Sequence, residues 1–372
     1  MCQESKSTPN PSFDERRGKD RISLPFVKGR SGEAEKDLIE LFMEYKIGFF
    51  GVKSWEREII EKEIIKLDSF GIGIFEDEVQ DNLELAAKYN IISPFVYSKI
   101  DKKVLDKLPN LKMVATRSTG IDHIDGEECK KRKITVTNVP VYGSSTVAEY
   151  AMALMLAITK KIVEAHQSVE DGEFNPEGLT GIDLNGKTLG VIGVGNIGQN
   201  VVKIARAFGM KVLGVDARLT PEVAKKIGCK IVDLENCLKE ADIITLHVPS
   251  LPETFHLINK KNIKLMKKGS YLVNTSRGPV IETEAIVWAL NNKVLAGAAL
   301  DVTEEENLLE SMSVVMSKKI TKDDLQEVLS FHMLRDRDDV IFTPHNAFNT
   351  KEAIGRIVAT TVENIKNFMN QK

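Results

Sequence analysis

Residues 188–216, TLGVIGVGNIGQNVVKIARAFGMKVLGVD, carry the pattern that most restricts what this chain can fold into. The apolar run from Leu189 to Ile192 has the composition of a buried strand, and Gly193, Gly195 and Gly198 follow it at G-x-G-x-x-G spacing. Gly193 allows a tight turn, Gly195 lets backbone approach a pyrophosphate, and Gly198 permits close helix–strand contact. Ile197, Val201, Ile204, Ala205 and Phe208 then share one face of a helix that ends at Gly209. The start of that helix points free N–H groups at a phosphate. Asp216 closes the next strand, eighteen residues past Gly198, where a carboxylate accepts from both hydroxyls of an adenosine ribose and repels a 2′-phosphate. The unit predicts a dinucleotide-binding βαβ element that takes NAD in preference to NADP. Arg218, two residues on, leaves a route to a 2′-phosphate open.

A chain of 372 residues exceeds one ordinary core and predicts two domains. Net charge is −3 with basic and acidic residues interspersed, so no face suits nucleic acid or anionic lipid. No apolar run reaches the roughly 18 residues of a membrane span, and the first residues lack a secretory apolar core. Cys2, Cys129, Cys229 and Cys237 have neither metal-ligand nor disulfide-framework spacing. They read as unpaired thiols of a cytoplasmic protein, with no metal site.

Residues 1–45 are rich in Ser, Pro and charge and read as a flexible extension, with Met43 an alternative start for the functional chain. Strand-like runs at 47–52, 71–75, 91–96 and 112–116 then alternate with helical stretches such as 55–67 and 79–88. A long apolar helix over 146–169 leads into the nucleotide unit. Beyond it lie strands at 243–248, 270–274, 296–300 and 340–343, helices near 234–239 and 283–291, and an amphipathic helix over 351–370. Residues 307–338 interrupt the rhythm, with a short helix expected over 322–329.

Three strand ends carry chemistry, and ligands bind at the carboxyl ends of strands in a doubly wound sheet. LVNTSRG at 272–278 ends in an arginine, whose guanidinium can grip a carboxylate bidentately. GAALDV at 297–302 ends in an acid and runs into Glu304, Glu305 and Glu306, while IFTPH at 341–345 ends in a histidine. Singly, Arg277 could be a surface ion-pair partner, the glutamates a solvated face and His345 a cap or core residue. Together, downstream of a dinucleotide unit, they suggest a substrate anchor, an orienting carboxylate and an acid/base.

The segments ATRSTGIDHID (115–125), NVPVYGSSTVAEY (138–150), GVGNIG (193–198), LVNTSRGPVIETEAI (272–286), AGAALDV (296–302) and TPHNAF (343–348) occur in an order that resembles the D-isomer-specific 2-hydroxyacid dehydrogenases. The resemblance runs from residue 46 to the end and is strongest to the D-lactate dehydrogenase-like members. It implies an α/β fold of two doubly wound parallel-sheet domains. A Rossmann NAD-binding domain (144–343) would be inserted in a flavodoxin-like substrate domain (46–143 and 344–372). It further implies that Arg277 binds the substrate carboxylate and carbonyl oxygen, that His345 is the proton donor and acceptor, and that Glu306 pairs with the histidine. Gly193, Gly195, Asn196, Ile197, Gly198, Asp216, Val248, Pro249, Thr254, Thr275 and Asp301 would contact the cofactor. Thr119, Gly120 and Tyr142 would face the substrate with Arg277.

The sequence departs from the family at Tyr150, where a histidine is usual, at Asn307, where many members have proline, and in the length of 307–338. The reading that results is an NAD-dependent enzyme interconverting a D-2-hydroxy acid, D-lactate or a close analogue, with its 2-keto acid. A homodimer is implied, with no nucleic acid or membrane partner. Glyoxylate or hydroxypyruvate reduction is the alternative within enzymes. An NAD(H)-sensing corepressor-like regulator is the alternative outside them, against which Arg277, Glu306 and His345 stand together. Formate dehydrogenases lack the glutamate, and phosphoglycerate dehydrogenases often carry a further regulatory domain.

Overall fold

A computed structural model describes residues 45–67, 71–304 and 322–371. The expected extension and alternative start therefore lie outside the described residues, apart from Tyr45, which is buried. Two compact units emerge, one running to Pro140 and resuming at Ile357, the other spanning Val141–Arg356.

The first unit is a five-stranded parallel sheet of β1 (Ile47–Phe49), β2 (Ile72–Ile74), β3 (Ile91–Ser93), β4 (Met113–Ala115) and β5 (Thr135–Thr137), in the order β2-β1-β3-β4-β5. That order is the flavodoxin-like one. Its strands are nearly continuous hydrophobic runs because helices cover both faces of a parallel sheet. Ile47, Phe49, Ile91, Ile92, Met113 and Val114 are all fully buried. Helix α1 (Ser54–Ile64) follows β1 and buries Glu56, Ile60 and Ile64, a one-per-turn stripe. Strand β5 went unanticipated, and it is also the strand whose residues stay half exposed.

The second unit is a seven-stranded parallel sheet of β6 (Thr188–Ile192), β7 (Lys211–Val215), β8 (Lys230–Ile231), β9 (Ile243–Leu246), β10 (Ser270–Asn274), β11 (Leu295–Leu300) and β12 (Val340–Phe342). Its order, β12-β11-β10-β9-β6-β7-β8, is the Rossmann arrangement extended by one strand. Side-chain alternation feeds two cores. Leu189, Val191 and Ile243 pack beneath α2 (Ser144–Lys160) and α4 (Asn196–Ala207), with Ala148, Ala151, Met152, Met155 and Ile158 supplied by α2. Ile192, Ile244 and Leu246 face α5 (Thr283–Asn291), which contributes Ala285, Ile286, Ala289 and Leu290. Each such buried Val, Leu or Ile contributes about 1.5–3 kcal/mol.

The long helix expected over 146–169 is two helices, α2 and α3 (Ile162–Glu170). Lys161 between them adopts a left-handed backbone (φ 54°), its N–H bonded to Ala157 O, which ends the first helix. The helix expected to be short, α6, extends over Lys322–Arg335. The final helix, α7 (Lys351–Met369), begins in the second unit and ends in the first. Residues 344–356 thus group with the second unit, whereas the resemblance assigned them to the substrate domain. No helix among the described residues is long and apolar enough to cross a membrane.

Candidate active site

The turn after β6 is shaped by its glycines. Gly193 has φ 91°, and a Cβ there would lie 2.6 Å from the His247 carbonyl, so neither its backbone nor its surroundings admit a side chain. A Cβ on Gly198 would meet Gly193 O at 2.1 Å, the contact that lets α4 start so close to the strand. Gly195, by contrast, faces open space. It precedes an α4 first turn with no side-chain cap and no acidic residue, which leaves its N–H groups and dipole to an anion.

Asp216 Oδ2 accepts from Val194 N at 2.9 Å and Oδ1 from Arg218 N at 2.7 Å. These bonds fix the carboxylate beside the glycine turn and leave lone pairs for ribose hydroxyls. Val248 and Pro249 follow β9. The Thr254 hydroxyl closes the same loop by accepting from Leu251 N (2.9 Å) and facing Pro249 O at 2.6 Å. Thr275 is buried, and its Oγ1 has no partner among the described residues. An orphaned hydroxyl beyond β10, an open glycine and an uncapped helix start in one sheet together fit a dinucleotide.

Arginine, aspartate and histidine follow β10, β11 and β12, three neighbouring strands of that sheet. Asn274 organises the first of these ends: its Oδ1 accepts from Ser276 N (3.0 Å) and Ser276 Oγ (2.7 Å), and its Nδ2 donates to Arg277 O (3.1 Å). A Cβ on Gly278 would strike Thr303 O at 1.9 Å, so backbone of the β11 exit packs directly against the arginine turn. Arg277 also acts on Tyr142: burial pushes the tyrosine's phenol up, and the guanidinium's charge pulls it partly back.

The β11 end holds the β12 end. Asp301 is 1% exposed, and its carboxylate accepts from Thr343 Oγ1 (2.5 Å), Asn346 N (2.8 Å) and Ala347 N (2.9 Å). Its own carbonyl accepts from His345 N at 2.9 Å. Burial raises the Asp301 pKa, while these bonds and the charge of His345 oppose the rise. His345 sits at φ 48°, a left-handed conformation unusual for a non-glycine residue and maintained by the bonds around it. Asp301, expected beside the nicotinamide, thus has both carboxylate oxygens on the histidine turn.

Of the three consecutive glutamates, Glu304 is not on a solvated face. Its side chain is 11% exposed, with Oε2 accepting from Thr283 N (2.8 Å) and Thr283 Oγ1 (2.6 Å) and Oε1 facing His256 Nε2 at 2.6 Å. Glu305 and Glu306 lie outside the described residues, and so does the pairing of Glu306 with His345. In the first unit, Thr119 Oγ1 donates to Val139 O (2.7 Å), and Asn138 Nδ2 and Ser118 Oγ fix the carbonyls of Thr119 (2.6 Å) and Gly120 (2.7 Å). Sequence reasoning missed His247, whose Nδ1 is buried without a partner among the described residues and whose imidazole burial pushes down to about 3. Among the described residues no cluster of His, Cys, Asp and Glu could hold a metal ion.

Residues 152–347 match the sequence model of the D-isomer specific 2-hydroxyacid dehydrogenase, NAD binding domain. A 2-hydroxyacid dehydrogenase homolog of Zymomonas mobilis is 35% identical over 326 residues, 87% of this chain and 96% of that protein. A glyoxylate reductase of Thermococcus litoralis is 44% identical over 231 residues, 60% of this chain and 70% of that one. Among solved structures, D-lactate dehydrogenase of Aquifex aeolicus, complexed with NAD and lactic acid, superposes with a TM-score of 0.78 at 37% identity, covering 87% of this chain and 95% of that one.

Proposed function

The chain belongs to the D-isomer-specific 2-hydroxyacid dehydrogenases, NAD-dependent oxidoreductases, and from that premise we propose that its substrate pair is pyruvate and D-lactate or a close analogue. What carries the reading is the placing of Arg277, Asp301 and His345 at the ends of three adjacent strands, in the sheet that also bears the 193–198 turn.

NADH, when bound, supplies the hydride that reduces the keto carbon. Asn196 and Ile197 would offer N–H groups to its pyrophosphate, Asp216 would accept from its ribose, and the orphaned Thr275 hydroxyl would be available to it. Arg277 pairs with the substrate carboxylate and holds the carbonyl in a fixed orientation, which raises effective concentration at the reacting carbon. Protonated His345 gives its proton to the carbonyl oxygen as that becomes a hydroxyl. Glu306 stabilises the imidazolium before transfer, and Asp301 holds the histidine in place. In the oxidative direction His345 accepts the hydroxyl proton.

One observation favours a second reading: the glyoxylate reductase likeness reaches 44% identity. Pyruvate and glyoxylate differ by one methyl group, worth roughly 10- to 200-fold in a fitted apolar pocket. NADH absorbance with pyruvate, glyoxylate and hydroxypyruvate separates the readings. The highest kcat/KM is expected for pyruvate, a higher value for glyoxylate selects the alternative, and no turnover with any of them points to a non-enzymatic nucleotide sensor.

We also assign the chain a homodimeric state and a cytoplasmic location. Ile162, Val163 and Val169 of α3 and the 95% exposed Phe174 after it are exposed apolar side chains that a second copy would cover. The described cysteines, Cys129, Cys229 and Cys237, are free thiols, as suits a reducing compartment.

A further inference from the structure

Arg117 sits inside the motif that carries Thr119 and Gly120, yet neither the cofactor nor the proton-transfer residues account for it. It is fully buried, 0% exposed. Its Nη2 donates to Phe50 O (2.9 Å) just beyond β1, and its Nη1 donates to Ser93 O at the end of β3. Nη2 and Nε also reach Glu56 Oε1 (3.1 Å) and Oε2 (3.2 Å) on α1, and the guanidinium stands 5.9 Å from the Phe95 ring centroid.

β1 and β3 are the strands between which the order of this sheet reverses, the crevice where open α/β sheets ordinarily take a ligand. Here the buried Arg117, paired with Glu56, bridges the two strand ends. A buried ion pair adds little net stability over an apolar pair of similar size. What this one does provide is a rigid junction of three strand ends and a helix. The Arg117 N–H bonds to Pro94 O at 3.0 Å, and the chain passes directly into the 118–120 turn. The Thr116 hydroxyl, 2.8 Å from Ser118 Oγ and 3.0 Å from His123 Nε2, stiffens that turn further.

We propose that the Arg117–Glu56 pair is the positioning element for the 118–120 turn and thereby sets the affinity for the 2-keto acid. The proposal rests on the functional reading above, together with the family resemblance that gives Thr119 and Gly120 to the substrate. The loss of one partner alone would strand a buried charge, so the test removes both charges at once. Arg117→Met with Glu56→Gln leaves no unpaired ion, and the amide oxygen still accepts from Lys53 N, which caps α1 at 3.1 Å. Arg117→Lys is the second variant: it keeps the charge opposite Glu56 but cannot bridge Phe50 O, Ser93 O and the carboxylate at once.

Steady-state kinetics are read with keto acid and NADH varied separately. We expect the keto-acid KM of the double variant to rise about tenfold or more, within the roughly 10²-fold cost of a misplaced binding element. The NADH KM, governed by the other unit, and kcat at saturation should stay within about threefold. Arg117→Lys should move the keto-acid KM in the same direction by less, and it decides the matter if the double variant does not fold. A folded double variant with an unchanged keto-acid KM, or one with both KM values raised alike, overturns the proposal and leaves the pair a structural one. A wild-type chain that reduces no 2-keto acid overturns the functional reading, and this proposal with it.

Discussion

Asp301→Asn separates holding His345, the proposed acid/base, from touching the cofactor. In the native protein the carboxylate receives three donors, Thr343 Oγ1 and Asn346 N on Oδ1 and Ala347 N on Oδ2. An amide has one acceptor oxygen. If that oxygen takes Oδ1's place, its NH₂ opposes the Ala347 N–H; in the other orientation it opposes the Asn346 N–H, while the Thr343 hydroxyl turns to accept. A hydrogen bond to a charged group contributes about 1.5–3 kcal/mol, and a buried donor left unpaired costs about 1–3 kcal/mol. Removal of a charge that burial disfavours offsets part of this, so a net destabilisation of about 1–3 kcal/mol is expected. The kinetic effect should be larger. His345 holds a left-handed backbone at φ 48°, and conformations of that kind relax when their supports weaken. A relaxation that shifts the imidazole by about 1 Å costs up to roughly 10²-fold in rate. The assay is NADH-dependent keto-acid reduction, with NADH affinity measured separately by fluorescence. A fall in kcat with NADH affinity unchanged is expected. A kcat within twofold of wild type refutes the reasoning, and a selective loss of NADH affinity returns Asp301 to the nicotinamide.

Asp216→Ala should weaken or invert the preference for NADH over NADPH, because both the ribose acceptor and the repulsion of a 2′-phosphate are lost; an unchanged kcat/KM ratio for the two cofactors would assign that choice to Arg218. Glu306→Gln should move the alkaline limb of the reduction profile to lower pH, since the imidazolium loses a stabilising charge; a limb that stays in place removes Glu306 from the pairing. Glu304→Gln should leave that limb in place and instead lower stability by about 1–3 kcal/mol, because the bonds from Thr283 and His256 lose their charged acceptor; an unchanged melting temperature contradicts this. His247 stays neutral in the fold down to about 3 but takes a proton below about 6.5 when unfolded, so its contribution is complete above that pH and falls as pH drops. Between pH 7 and pH 5 the wild type should lose about 2 kcal/mol more in urea unfolding than His247→Gln does; parallel losses would show that the imidazole is not excluded from the proton.

What was legible in the sequence was what is local. The 188–216 unit could be read residue by residue, because a strand, three glycines, a helix period and a terminal acid all lie within one short stretch. Arg277, Asp301 and His345 stood out for the same reason, each within four residues of the end of an apolar run. The Arg117–Glu56 pair joins residues 61 apart, and Glu304 reaches partners 21 and 48 residues away. No periodicity encodes such pairings. Three adjacent glutamates look solvated in sequence because the donors that bury Glu304 come from elsewhere in the chain. The break at Lys161 was hidden by apolar residues that continue on both sides of it. Strand β5 lacked the apolar run that betrays its neighbours, since an edge strand with half-exposed threonines needs none.

NADH oxidation by pyruvate, followed in wild type and His345→Ala with chiral analysis of the product, tests both the D-configuration of the hydroxy acid and the role of His345. D-lactate is expected from the wild type. The variant should still bind NADH while its turnover falls by the roughly 10²- to 10⁴-fold typical of a lost general acid. L-lactate as product, or a His345→Ala variant with near-native turnover, would contradict the proposed function.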